Sequence, residues 1–140
     1  MTDRAGAGRA PSLDDFAALA EAAFQALPEA FRKLAGEVVF RVDDFPSDEV
    51  LDELGIDDPF EPTGLYQGVD LTRRSMFDPA PQPSAVFLYR RPILDEWAAH
   101  GEITLEELIA HVLVHEIGHH FGLSDAQIEA IEAAEASRRT

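Results

Sequence analysis

Apolar positions along the chain switch between two spacings, and each spacing predicts an element. In residues 12–27 the side chains of Phe16, Leu19, Ala20, Ala23, Phe24 and Leu27 fall three or four apart. That is one stripe of an amphipathic helix. Ser12 is placed to cap it, with Asp14 and Asp15 in the first turn, where the helix dipole favours carboxylates. Pro28 opens a second, short helix that carries Phe31 and Leu34 and ends at Gly36. From 37 to 42 the period drops to two. Val38, Phe40 and Val42 face one way, Val39 and Arg41 the other, which predicts a strand with one buried face. "PSDEVLDELGI" reads as a short helix capped by Ser47, and "DDPFEPTG" as a loop.

"LYQGVDL" is a weaker strand, interrupted by Gly68 and suited to a sheet edge. After the proline-rich loop "DPAPQPS", the apolar run "AVFLYR" predicts the central strand. Pro92 is expected to end it, with a short turn of helix around Leu94 to Ala99. Thr104 then opens the strongest helix, with Glu107 three residues on as the partner of a capping box. Leu105, Leu108, Ile109, Val112, Leu113 and Ile117 make this helix central and buried. A last helix covers roughly 124–136. The expected fold is α+β: a small mixed sheet of about three strands packed on the first helix and on the helix from Thr104. Residues 12–140 are expected to form a single domain behind a disordered, Gly-rich arm, residues 1–11.

Composition narrows the chemistry. There is no cysteine, so a metal must be held by His, Asp or Glu. The net charge of −16 argues against nucleic acid and anionic membrane as partners. No apolar run approaches the ~20 residues of a membrane span, and the N-terminus lacks the apolar core of a signal peptide. A cytoplasmic location is expected.

Four of the five histidines lie in "HVLVHEIGHHFGLSD", residues 111–125. His115 and His119 are four apart and share a helix face, so their rings can converge on one ion. Glu116 is rotated about 100° from His115 and can flank that ion as a general base. Gly122 can turn the chain back, so that Asp125 becomes a third ligand. Two other readings stay open: Asp125 as an ordinary first-turn acid after a Ser124/Gln127 capping box, and Glu129 as the ligand one turn along. His111 lies about 12 Å along the axis from His119, too far to share its ion, and reads as a supporting or core histidine. His120 points away from the pair, and His100 reads as a helix C-terminal residue. Tyr66, Tyr89, Arg90 and Arg91 are the candidates for steadying an oxyanion, against a plainer reading as core tyrosines and surface arginines.

"HEIGHHFGLSD" resembles the zincin motif in its extended, metzincin-like form, H-E-x-x-H-x-x-G-x-x-D. With the preceding "AVFLYRRPIL", it is similar to the minimal zincin-like metallopeptidases. The resemblance implies one zinc ion held by His115, His119 and Asp125, with Glu116 as catalytic base. It implies hydrolysis of peptide bonds in a peptide or protein substrate, laid against a strand edge. The chain departs from most metzincins in carrying Asp125 where they place a third histidine, and in its methionines: Met1 and Met76 both precede the motif, so no methionine turn follows it. The rival class is a metal-binding interaction module without turnover.

Overall fold

A computed structural model describes residues 10–67 and 84–139. The chain runs α1 (Leu13–Ala26), α2 (Glu29–Ala35), β1 (Val38–Asp43), α3 (Asp48–Leu54), β2 (Gly64–Gln67), β3 (Ser84–Tyr89), α4 (Arg90–His100), α5 (Leu105–His120) and α6 (Asp125–Arg139). The architecture is α+β, as the spacing pattern predicts. Local signals act as expected at the helix starts. The Ser12 hydroxyl accepts from the Asp15 N–H at 3.1 Å, while the Asp15 carboxylate accepts from the Ser12 N–H at 2.9 Å. Thr104 and Glu107 make the same reciprocal pair at 3.0 and 2.9 Å. Each box satisfies two donors that the first helical turn leaves without partners.

The sheet is three-stranded, in the order β1-β3-β2. β3 is central because its side chains are apolar on both faces, with Val86, Leu88 and Tyr89 buried. β1 pairs with it in parallel, Val38 opposite Ser84 through Asp43 opposite Tyr89. β2 pairs antiparallel, Gly64 opposite Leu88 through Gln67 opposite Ala85. Among the described residues β2 bonds only to β3, so it forms an edge. Gly68 to Leu71, most of the proline-rich loop and residues 1–9 lie outside the described residues. Pro11, at the end of the expected arm, is held: its carbonyl accepts from Arg90 Nε at 2.6 Å.

One helix is longer than the sequence suggested. α4 starts at Arg90 rather than near Leu94, and Pro92 sits inside its first turn. Proline is tolerated there because first-turn N–H groups have no intrahelical acceptor to lose. Leu34 is also less buried than its stripe implied, at 41% exposure, whereas Phe31 is fully packed.

The core joins α1, β3, α5 and α6. Phe16, Ala20 and Phe24 meet Val86, Leu88, Ile109, Leu113 and Ile117 in one apolar cluster that also takes in Ile128. α5 is buried on most of its circumference. Its open stripe holds His111, His115, Glu116 and His119, one helical turn after another.

Candidate metal centre and catalytic carboxylate

The end of α5 positions the site. Gly122 has φ +77°, the left-handed conformation that only glycine adopts freely. The Leu123 N–H donates to the Gly118 carbonyl at 2.9 Å and the Gly122 N–H to the His119 carbonyl at 3.1 Å. This is a Schellman ending, and it reverses the chain into α6. The Ser124 hydroxyl and the Gln127 side chain cap α6 reciprocally, at 3.1 and 2.8 Å. Both readings of this segment therefore meet the same residues, but the cap does not use the Asp125 carboxylate. Asp125 is exposed and makes no side-chain hydrogen bond among the described residues.

α6 then lies back along α5. Ile128 is fully buried and packs on Gly118, where a Cβ would stand only 3.0 Å from Ile128 Cγ1. Glu132, four residues beyond Ile128, shares that inward face. Its carboxylate meets two histidines of α5, Oε2 at 2.7 Å from His111 Nδ1 and Oε1 at 3.0 Å from His115 Nε2. An ionised carboxylate can only accept, so both facing ring nitrogens carry the proton when these hydrogen bonds form. Among the described residues His111, His115 and Glu132 are the group whose ligand atoms all lie within 4.8 Å of one another. His115, His119 and Asp125 are not gathered that tightly. The His115 and His119 rings stand 5.6 Å apart, centre to centre. That spacing suits two Zn–N bonds of about 2.0–2.1 Å once each centre-to-nitrogen distance is added. Glu129 is exposed.

Sequence reasoning missed Glu132. The signal was present, since Ile128, Ile131 and Glu132 fall at i, i+3 and i+4 on one face of α6. It identifies a face, however, and not the residues of α5 that the face will meet.

Glu116 projects from α5 against the sheet edge. Its Cγ lies 3.4 Å from the point a Cβ on Gly64 would occupy, and Val112 Cγ1 lies 2.8 Å from that point. A bare glycine at the start of β2 is what lets α5 approach the strand so closely. Burial pushes the Glu116 carboxyl above its ordinary value, while the neighbouring His119 pulls it partly back. A carboxylate moved in this direction binds a proton more readily at neutral pH, which suits proton transfer.

Each of the four oxyanion candidates has packing or charge partners of its own. Tyr89 is 1% exposed, and its phenol is pushed up to about 12, first by burial and then by the charges of Asp43 and Glu116. Tyr66 is buried, its ring tilted against His120 at 4.2 Å and against Phe121 at 5.8 Å. Arg90 pairs with Asp44 at 3.0 Å, and Arg91 lies over the Phe45 ring at 5.5 Å. The tyrosines are core residues, as the plainer reading has them; of the arginines, Arg91 is exposed and Arg90 is largely covered.

The donor set is nitrogen and carboxylate oxygen with no thiolate, and it fits zinc. The fold and the site define a class: a small mixed sheet over a helix that carries H-E-x-x-H. The profile of the family described as zincin-like metallopeptidase matches residues 35–135, well over half of the chain. The chain belongs to that family. No curated protein gives a match to it. No helix among the described residues is long and apolar enough to cross a membrane.

Proposed function

We propose that this protein is a zinc-dependent peptidase. The observation that carries the reading is Glu116, a half-buried carboxylate of raised proton affinity, set between the histidine pair of α5 and the edge strand β2. His115, His119 and Asp125 would hold the metal, and the unengaged carboxylate of Asp125 favours its part in that set. When bound, zinc supplies Lewis acidity, making water acidic enough to attack a carbonyl near neutral pH. Glu116 takes the proton given up by the attacking water and returns it to the leaving amine. An extended peptide would add to the edge of β2 that no described residue pairs, where main-chain hydrogen bonds would hold it in line with Glu116. The acidic surface favours basic peptides in the encounter. Family membership supports a hydrolase of this type.

The test begins with metal content. Elemental analysis of the purified chain should give one zinc, and chelator should abolish cleavage of a mixed peptide library, with restoration on adding zinc. One bound zinc with no cleavage of any peptide would favour a metal-binding module instead. No divalent metal bound would remove both readings.

A further inference from the structure

We propose that His111, His115 and Glu132 form a second divalent-cation site that overlaps the H-E-x-x-H pair and excludes its simultaneous use. His111 Nδ1, His115 Nε2 and the two Glu132 oxygens already face one another across 2.7 and 3.0 Å, with the His111 and His115 rings 4.1 Å apart. Two ligands each about 2.0–2.1 Å from a tetrahedral zinc stand roughly 3.3 Å apart. The two histidine–glutamate pairs therefore need to open by only a few tenths of an ångström to admit an ion, in exchange for the two ring protons, and all the ligand atoms already lie within 4.8 Å of one another.

The position is also accessible. A pocket of about 420 Å³ opens beside it, lined by Glu96, His100, Glu102 and Glu107 as well as by His111 and Glu132. The glutamates that line it raise the local concentration of cations, and the imidazoles select a borderline ion such as zinc or cobalt over calcium or magnesium. The Ile128–Gly118 seam and the Gly122 turn hold Glu132 in place, so the ligands come from two rigid helices and not from a loop.

His115 turns its Nε2 toward Glu132, and the H-E-x-x-H pair requires the same imidazole. An ion on His111, His115 and Glu132 ties His115 to α6, so the chain holds its ion in one place or the other. This exclusion rests on the peptidase reading, whereas the site itself does not.

The test reads zinc binding by titration calorimetry and equilibrium dialysis, with no peptide present. Asp125→Ala changes an exposed residue whose side chain makes no hydrogen bond among the described residues, so it removes the expected metal ligand without threatening the fold. The Asp125→Ala chain should still bind one zinc. Adding His111→Ala should weaken that binding at least tenfold, and Glu132→Gln should do the same. His119→Ala should likewise bind one zinc that His111→Ala removes. The wild-type chain should bind one equivalent, and two would overturn the exclusion. Affinity in the Asp125→Ala chain that His111→Ala leaves unchanged would overturn the site, reducing the cluster to a hydrogen-bonded ion pair. Loss of peptide cleavage has no bearing on these readouts. Failure of the site would equally leave the H-E-x-x-H pair standing.

Discussion

Gly118→Ala should change the sign of its effect with the residue at position 128. Two contributions oppose each other in the wild-type chain. Alanine in a helix interior is favoured over glycine by about 1 kcal/mol. Against this, the new Cβ would stand 3.0 and 3.1 Å from Ile128 Cγ1 and Cδ1, and 3.6 Å from Leu123 Cδ1. Ile128 is fully buried, so it has little room to retreat. Overpacking of this kind costs about 1–3 kcal/mol. The clash wins, and Gly118→Ala should destabilise by roughly 1 kcal/mol net, about 4 °C in Tm for a chain of this size. Ile128→Ala alone should cost about 2–5 kcal/mol through the cavity it leaves. In that background the clash is gone, and Gly118→Ala should stabilise by about 1 kcal/mol. Thermal and urea unfolding of the four chains measures the coupling directly. An effect of Gly118→Ala that is the same in both backgrounds would refute the seam. With it would go the explanation of how Glu132 reaches His111 and His115.

Three further expectations concern individual groups. Gly122→Ala meets no atom within 4 Å, so its cost is backbone strain alone, about 1–2 kcal/mol less the 0.4–1 kcal/mol gained from a stiffer unfolded chain; unchanged stability would mean the αL turn is not required. Glu116 has its folded pKa raised by burial above the ordinary 4.5, so its stabilising contribution is complete below that value and is lost as pH rises through the folded pKa. In chelator, Glu116→Gln should therefore melt above wild type at neutral pH and level with it in acid; a lower Tm at neutral pH would contradict the burial argument. Of the two tyrosines, Tyr89 should ionise near 12 and late in an ultraviolet phenolate titration. Its contribution, of order 2–3 kcal/mol, is present below 10 and lost as pH rises through 12, so Tyr89→Phe should flatten the alkaline fall in stability; identical alkaline curves would show that the phenol is not buried as described.

The elements were legible wherever their cause is local. Thr104 with Glu107 is a capping box three residues wide that forms as its spacing predicts, and Asp15, expected as a first-turn acid, completes a second box with the Ser12 cap. Gly122 turns the chain because no other residue takes φ +77° cheaply. The apolar run from Ala85 to Tyr89 in "AVFLYR" placed β3 at the centre of the sheet. Features set by distant partners were not legible. That Val38 would face Ser84, and Gly64 Leu88, is decided by packing between segments far apart in sequence. Glu132 reaches His111 across 21 residues through a helix reversal and a buried isoleucine, so its role emerged only in three dimensions. Pro92 misled for a different reason. A proline ends a strand and begins a helix with equal ease, and only the first-turn geometry of α4 distinguishes the two.

The central claim is that Glu116 moves the proton in a metal-dependent hydrolysis. Zinc-loaded wild-type and Glu116→Gln chains, matched for metal content, should be incubated with one mixed peptide library and the new termini counted by mass spectrometry. Wild type should cleave, and Glu116→Gln should be slower by about 10²–10⁴-fold with its zinc retained, the range expected when a general base is removed. Equal cleavage by both chains, or none by either with zinc in place, would contradict the account.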